Sequence, residues 1–174
     1  MFFIQMAGFP GSGKSTLSRE IAKRTGSIII DHDIVKSALL NSIDEVPIDE
    51  RLAGKISYNI DWSLVDFHLS QGHNVILDSP CLYEELVDRG TILSVKYNVK
   101  YKYIECYLDD FQEINYRLTN RERMVSQITE IKSEVAFKHT LQSSKKPSNY
   151  RCIIVNTRQP LENYIQEVMD YINE

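Results

Sequence analysis

Residues 8–15 read Gly-Phe-Pro-Gly-Ser-Gly-Lys-Ser and decide the fold class of this 174-residue chain. They fit the pattern GxxxxGK[ST], directly after the apolar run 2–7 and directly before a helical pattern. The glycines allow the backbone to wrap a polyphosphate with its N–H groups turned inward. A strand, a glycine-rich loop and a helix in this order predict a binding site for a nucleoside triphosphate.

Two side chains of the loop have chemical roles in such a site. Lys14 brings a positive charge to the β- and γ-phosphates, and the Ser15 hydroxyl is a ligand for Mg²⁺. The positive end of the following helix adds to the attraction. ATP and Mg²⁺ are therefore the expected cofactors. The residues of the loop predicted to bind nucleotide are Gly8, Gly11, Ser12, Gly13, Lys14, Ser15 and Thr16.

The composition predicts one globular domain over residues 1–174. Hydrophobic residues make up 43% and charged residues 25% of the chain, with no low-complexity tract or linker. The net charge of −4 argues against a dedicated nucleic-acid-binding protein, so a small molecule is the expected partner. No apolar run reaches the length of a membrane span, and no signal-peptide cleavage site follows the first strand. We expect a cytoplasmic monomer or homodimer without membrane association.

Apolar runs alternate with helical patterns along the chain. The apolar residues Ile56, Ile60, Leu64 and Phe67 repeat at helical spacing, as do Leu161, Ile165, Val168 and Ile172. Alternating strands and helices predict an α/β three-layer sandwich with a parallel sheet, whose ligands bind beyond the carboxyl ends of the strands. The five predicted strands are Phe2 to Ala7, Ser27 to Ile30, Asn74 to Leu77, Tyr101 to Tyr107 and Arg151 to Val155.

Carboxylates follow the second predicted strand. Asp31 and Asp33 flank His32 where the strand ends, and Lys36 lies one turn further along the next helix. A hydroxyl that attacks a γ-phosphate needs a carboxylate to orient it and accept its proton, and Asp33 suits that role. The alternative is that either aspartate caps the helix. We expect Asp33 and Lys36 to contact the substrate and His32 to face solvent.

Asp78 ends the third predicted strand, as a Walker-B aspartate does. It is expected beside the first strand and Lys14, where it would contact Mg²⁺ or the substrate. The alternative is an aspartate that starts a turn with Ser79 and Pro80.

Arginines follow the fourth predicted strand. Arg117 and Arg121 lie on or just beyond a helix, and Arg123 is harder to place. Phosphoryl transfer spreads negative charge over the γ-phosphate oxygens, which guanidinium groups on a movable lid can stabilise. We predict such a lid at about residues 117–130, with Arg117 and Arg121 catalytic and Arg121 also in contact with the nucleotide. The alternative is a solvated helix face paired with Glu113 and Glu122.

Other candidate residues are given ordinary structural roles. Cys81, Cys106 and Cys152 are odd in number and lack CxxC spacing, so they are expected to be reduced thiols in or near the core. The histidines have no metal-ligand spacing. The loop 156–158, near the expected place of the adenine base, is interpreted as a surface loop.

Taken together, the phosphate loop, the Asp-x-Asp of residues 31–33, Asp78 and the Arg-x-x-x-Arg of residues 117–121 resemble the small P-loop kinases. The resemblance covers nearly the whole chain and is to the group containing chloramphenicol phosphotransferase, polynucleotide 5′-kinase and the zeta-toxin kinases. It implies that Asp33 is the general base and that Arg117 and Arg121 belong to the lid. Polynucleotide kinases carry an arginine where this chain has Lys36, whereas the zeta toxins have a lysine there.

Three functions compete at this point. The first is transfer of the γ-phosphate of ATP to a hydroxyl of a small molecule, with Asp33 as base. The second is a kinase of 5′-hydroxyl nucleic-acid ends, which requires a basic channel leading to Asp33. The third is a nucleotide switch or partner-dependent ATPase with no acceptor of its own.

Overall fold

The computed structural model describes residues 1–43 and 48–174, and its centre is a parallel sheet. The strands pair in the order β2-β3-β1-β4-β5. All five strands predicted from the sequence are present, with bounds shifted by one residue at most, because each is a compact run of β-branched and aromatic residues. The strands are β1 (Phe2–Ala7), β2 (Ile28–Asp31), β3 (Val75–Asp78), β4 (Lys100–Tyr107) and β5 (Cys152–Asn156).

Seven α-helices lie in the described part of the chain. Four of them begin at a side chain that accepts a hydrogen bond from a backbone N–H group of the first turn, which satisfies a donor that the helix itself leaves free. The caps are Asp31, Asp49, Asp110 and Ser133. The helices are α1 (Lys14–Thr25), α2 (His32–Ser42), α3 (Glu50–Ser70), α4 (Glu84–Lys96), α5 (Phe111–Asn120), α6 (Glu134–Gln142) and α7 (Ile165–Asn173).

Both faces of the sheet are covered. Ile4 and Met6 of β1 pack into an apolar cluster with α1 and α7, whereas Phe3 and Ala7 pack into a second cluster with α3 and α4. This alternation follows from the two-residue period of a strand, and burial on both faces is typical of parallel sheets. The predicted three-layer α/β sandwich is therefore confirmed.

Helix α3 exists as predicted, but the sequence pattern selected the wrong face. Ile60, Leu64 and Phe67 are 40%, 37% and 56% exposed, so this part of the apolar repeat faces solvent. The buried face recurs every four residues instead and mixes small or polar side chains with larger apolar ones: Ala53, Ser57, Asp61, Val65 and Leu69. Small residues pack closely without contributing hydrophobicity, which is why a search for large apolar residues missed them. From the sequence we also expect helical content from Ile43 to Ser70, and residues 44–47 of that segment lie outside the described residues.

The cysteines are free thiols, as predicted. Cys81 and Cys106 are buried, and Cys152 is half-buried. Within residues 1–43 and 48–174, no helix combines the length and the apolar character needed to cross a membrane.

Candidate active site

The loop of residues 8–15 connects β1 to α1 at the carboxyl edge of the sheet. Gly8, Gly11 and Gly13 have φ angles of 130°, 85° and 91°, which favour glycine. At Gly8 a Cβ atom would lie 2.3 Å from the carbonyl oxygen of Cys106, so any side chain there would collide with β4. The loop conformation therefore depends on these glycines.

The polar groups of the loop are arranged for an anion. Gly13 precedes α1 without a side-chain cap, so the first N–H groups of that helix have no capping acceptor. Lys14 is buried, and its Nζ donates to the carbonyl oxygens of Gly8 and Phe9 at 3.0 and 3.1 Å. The buried Oγ of Ser12 has no hydrogen-bond partner within the described residues.

Asp78 lies at the end of β3, in register with Asp31 of β2. Its side chain is buried, and Oδ2 has no hydrogen-bond partner among the described residues. Burial raises the pKa of this carboxyl to about 6, while the positive charge of Lys14 opposes the rise. A buried carboxylate with a free oxygen beside Lys14 suits a Mg²⁺ ion or a polar substrate group.

The structure separates the roles of the two aspartates after β2. Asp31 is the cap of α2, because its Oδ1 accepts from the backbone N–H groups of Asp33 and Ile34 at 2.9 and 3.4 Å. Burial raises the pKa of Asp31, and the nearby charge of Asp33 adds to the rise. Asp33 is half-buried and instead accepts a hydrogen bond from Gln127 Nε2 at 2.7 Å. Asp33 also lines the cavities described below.

The predicted arginines occupy different positions. Arg117 of α5 contacts Glu113 Oε1 at 2.7 Å and donates to the carbonyl oxygen of Thr157 at 3.0 Å. Arg121 follows α5 directly, and its Nη2 donates to the Ile128 carbonyl oxygen at 3.2 Å. Burial lowers the pKa of Arg121, and the attraction of Asp33 partly opposes this change. Arg123 is exposed and bonds the Gln127 carbonyl oxygen.

The segment 121–133, between α5 and α6, lies against α2. Ser126 Oγ donates to the backbone oxygen of Asp33 at 3.1 Å, and Ser37 Oγ donates to Ser126 Oγ at 2.8 Å. Together with the bond between Gln127 and Asp33, these contacts hold the segment over the carboxyl end of β2. Sequence reasoning missed Ser126 and Gln127, because isolated polar residues in an irregular segment give no periodic signal.

Two adjoining cavities meet at this edge. The first, of about 540 Å³, is lined by the loop and by Asp78 and Thr157. The second, of about 830 Å³, lies between α2, α3, the start of α4 with the loop before it, and the segment 121–133. The residues that line both cavities are Pro10, His32, Asp33, Pro80, Arg121 and Gln127.

Most of the residues predicted from sequence come together here. The predicted residues that line the first cavity are Gly11, Gly13, Lys14, Ser15, Thr16, Asp33, Asp78, Arg117 and Arg121. Lys36 lines the second cavity instead. Gly8 and Ser12 do not line either cavity, but Gly8 shapes the loop and Ser12 is buried within it.

The prediction for His32 was wrong, since the side chain is buried and does not face bulk solvent. It is 6% exposed, and its Nδ1 lies 2.6 Å from Asp61 Oδ2. Asp61 is fully buried in α3, and burial raises its pKa although the hydrogen bond to His32 opposes that change. The sequence offered no signal for this pair, whose members are 29 residues apart.

The loop after β5 is more than a surface loop. Thr157 is 4% exposed and packs beside Gly13, whose Cβ position would lie 3.7 Å from Thr157 Cβ. Arg158 is exposed and pairs with Asp110. The interpretation as a surface loop therefore holds for Arg158 and is wrong for Thr157.

The donor set fits a triphosphate and Mg²⁺. The uncapped start of α1, the buried Ser12 hydroxyl and Lys14 offer donors and positive charge to phosphates. Ser15 and the unpartnered oxygen of Asp78 offer two oxygens to the metal, and Mg²⁺ usually completes its shell with phosphate oxygens and water.

Comparison with known proteins places the chain among P-loop proteins. A family model described as AAA domain matches residues 3–145. No curated protein matches the sequence.

Solved structures with the same fold cover nearly the whole chain. A candidate kinase from Chloroflexus aurantiacus J-10-fl has a TM-score of 0.78 at 16% identity, with 97% of each chain covered. A sugar kinase from Janibacter sp. HTCC2649 has a TM-score of 0.67 at 17% identity, covering 99% of this chain and 94% of its own. An APS kinase from Mycobacterium tuberculosis, in complex with AMPPNP and APS, has a TM-score of 0.62 at 12% identity, covering 99% and 97%.

These likenesses show the P-loop kinase-like fold. They do not single out chloramphenicol phosphotransferase, polynucleotide 5′-kinase or the zeta toxins, so that narrower resemblance stays a prediction.

Proposed function

The chain belongs to the AAA domain family, and from that premise we propose that it is an ATP-dependent phosphotransferase acting on a hydroxyl group of a small molecule. The observation that carries the proposal is the position of Asp33. Its carboxylate lines both cavities and lies between the phosphate loop and a second space large enough for an acceptor. A nucleotide switch needs only the first of these cavities.

In the proposed reaction the first cavity holds ATP with its γ-phosphate towards Asp33. Lys14 leaves the loop carbonyl oxygens and binds the β- and γ-phosphates. Arg117 and Arg121 stabilise the charge that spreads over the γ-phosphate oxygens. Ser15 and Asp78 would hold Mg²⁺, which would supply positive charge to neutralise the phosphate oxygens.

The acceptor lies in the second cavity with its hydroxyl at Asp33. The acceptor oxygen forms a bond to the γ-phosphorus, and the bond between that phosphorus and the β,γ-bridging oxygen breaks. Asp33 accepts the hydroxyl proton, and ADP leaves with the bridging oxygen. Gln127, which donates to Asp33 Oδ2, holds the carboxylate in place, so that its other oxygen faces the hydroxyl.

A phosphoryl-transfer screen tests this proposal. ATP labelled at the γ-phosphate is incubated with the protein, Mg²⁺ and panels of sugars, nucleosides, hydroxylated antibiotics and 5′-hydroxyl oligonucleotides. We expect label to move to at least one hydroxyl compound, with no transfer by the Lys14→Ala variant. Hydrolysis of ATP at a rate that no hydroxyl compound changes, without labelled product, would instead support the switch.

A second candidate acceptor, the 5′-hydroxyl end of a nucleic acid, is favoured by one observation. The second cavity is lined by the basic side chains of Lys36, Arg51, Lys55 and Arg89 and leads to Asp33. Transfer to oligonucleotides that weakens steeply as salt rises would favour this acceptor over a neutral small molecule.

A further inference from the structure

One face of α3 forms a wall of the second cavity. Arg51, Lys55, Tyr58 and Trp62 recur at spacings of three or four residues and all line this cavity. Arg51 and Lys55 are exposed near the start of the helix, Tyr58 is half-buried, and Trp62 is buried further along. The wall therefore changes from basic to aromatic along the helix.

Most basic side chains of this cavity have no acidic partner in the part of the chain that the structure describes. Arg89 contacts Glu85 Oε1 at 2.9 Å. Lys36, Arg51 and Lys55 make no ion pair within residues 1–43 and 48–174. The acidic side chains that line the cavity are Asp33, Glu50 and Glu85, against the basic side chains Lys36, Arg51, Lys55, Arg89 and Arg121.

This excess of positive charge occurs in a chain whose net charge is −4. Cations on a solvated surface find counter-ions in water, but cations that converge on a concave wall raise the local concentration of anions. A neutral hydroxyl compound gains nothing from them.

We propose that the acceptor is an anionic, hydroxyl-bearing molecule, whose phosphate or carboxylate group binds Lys36, Arg51 and Lys55 while its hydroxyl lies at Asp33. This inference rests on the proposed phosphotransferase function. The aromatic part of the wall, Tyr58 and Trp62, packs against the body of the acceptor between these two ends. The anionic group belongs either to a free small molecule or to the phosphodiester chain behind a 5′-hydroxyl end.

The test compares pairs of related hydroxyl compounds in which one member carries an anionic group and the other is neutral. The pairs are adenosine with adenosine 3′-monophosphate and glucose with gluconate, and a 5′-hydroxyl oligonucleotide forms a separate arm. We expect kcat/KM to be higher for the anionic member of a pair by about tenfold or more, the size expected for a charged hydrogen bond. Preference for the oligonucleotide over the mononucleotide would assign the anionic group to a nucleic-acid chain.

A double variant connects this preference to α3. Arg51→Ala with Lys55→Ala should lower kcat/KM about tenfold for the anionic acceptor and less than about twofold for its neutral partner. The matched control is Lys23→Ala with Lys132→Ala, two exposed lysines that line neither cavity. Equal use of neutral and anionic members, or no effect of the double variant, would overturn the inference while transfer itself remained. Transfer to no acceptor at all would overturn the proposed function and this inference with it.

A separate observation concerns the buried pair of His32 and Asp61. The His32 ring stacks on Tyr58 with 3.9 Å between ring centroids and 16° between planes. Asp61 Oδ2 fixes the ring through Nδ1, the one ring nitrogen of His32 with a hydrogen-bond partner among the described residues. The ring lines both cavities beside Asp33.

Burying a carboxylate is costly unless its charge is compensated, and one oxygen of Asp61 has no partner in the described residues. If the contact between α2 and α3 were purely structural, apolar side chains would make it at a lower free-energy cost of burial. The pair instead holds an imidazole in one orientation at the junction of the cavities. We infer that His32 Nε2 hydrogen-bonds an oxygen of the acceptor and that Asp61 is a positioning residue for His32.

Two replacements of His32 separate contact from structure. In His32→Asn the amide nitrogen can take the place of Nδ1 and keep the bond to Asp61, but nothing occupies the Nε2 position. In His32→Gln the amide reaches the Nε2 position. We expect the Asn variant to raise the KM for the acceptor about tenfold with the KM for ATP unchanged, and the Gln variant to restore part of the loss. An unchanged acceptor KM in His32→Asn, with Tm unchanged, would overturn the contact.

Discussion

The two ends of the cleft are built in different ways. The phosphate end, which comprises the loop 8–15 and Asp78, is shaped by backbone conformations and by the apolar sheet beneath it. The acceptor end, which is the second cavity, is shaped by side chains from α2, α3 and the irregular segment 121–133. The loop of the phosphate end is one continuous segment of sequence, whereas the acceptor end joins residues as far apart as Asp33 and Gln127.

This difference separates what is common to the fold from what is particular to the chain. Any polyphosphate offers the same oxygens to backbone N–H groups, so one backbone conformation of the loop suits every such ligand. An acceptor differs in shape and charge, and helical side chains can be exchanged without altering the sheet. Replacements at the phosphate end should therefore affect every acceptor equally, and those at the acceptor end should discriminate between acceptors.

The largest effect is expected for Lys14→Ala. Loss of the charge on the β- and γ-phosphates should lower the transfer rate by about 100- to 1,000-fold for every acceptor, as measured with labelled ATP. Lys23→Ala, on the exposed side of α1, is the control. Thermal unfolding should be checked, because Lys14 also bonds two loop carbonyl oxygens. A variant with full turnover would refute the phosphate site.

A smaller loss is expected for Arg121→Ala. Arg121 lines both cavities, so its charge should act mainly in the transition state and its removal should lower kcat by about 10- to 100-fold. Affinity for ATP, measured by equilibrium binding, should change much less. Arg123→Ala is the matched control, because Arg123 is exposed and lines neither cavity. A parallel loss of ATP affinity would place Arg121 in ground-state binding.

Asp78 should give the phosphate end a pH dependence. Its pKa is raised to about 6, so the carboxylate form that we propose binds Mg²⁺ is lost as pH falls below that value. Mg²⁺-dependent nucleotide binding should therefore weaken about tenfold per pH unit below the pKa. Titration of nucleotide binding between pH 5 and 8 checks this expectation, and a flat profile would exclude Asp78 as the metal ligand.

The buried carboxyl of Asp78 should also lower the free energy of unfolding at neutral pH. Since the folded-state pKa lies above the unfolded value, the folded chain holds more protons between pH 4 and 6, and stability falls as pH rises through that window. Asp78→Asn should then stabilise the nucleotide-free chain at pH 7.5 by on the order of 1–3 kcal/mol in urea unfolding. Equal or lower stability of this variant would show that the buried charge is compensated.

The smallest effect is expected for the hydrogen bond between Gln127 and Asp33, two residues that line both cavities. Gln127→Ala removes the hydrogen bond to Asp33 Oδ2, so the base should be less well oriented and kcat should fall about fivefold. Gln142→Ala, on the exposed end of α6, should leave kcat unchanged. If both variants behave alike, Gln127 does not orient the base.

The sequence predicted the fold and the phosphate end because their signals are local. Each strand is a short segment in which apolar residues predominate, and the loop is defined by glycines and a lysine at fixed spacing. The prediction that Asp78 lies at the end of a strand beside the first one is also confirmed, because β3 pairs with β1.

The acceptor end could not be predicted in the same way. Asp61 and Ser57 lie on the buried face of α3, where a hydrophobic search expects apolar residues. His32 is buried only because α3 brings Asp61 and Tyr58 against it. Such contacts depend on how helices pack, and no periodic pattern in a single sequence indicates them.

Asp33 lies where the two cavities meet, and Asp33→Asn tests the account most directly. The measurement is ATP affinity and labelled phosphoryl transfer on the same preparation, with the acceptor found by screening. We predict unchanged ATP affinity and a loss of transfer of at least about 100-fold, because the amide cannot accept the hydroxyl proton. Transfer at the wild-type rate would contradict the account, since the acceptor would then need no base at this position.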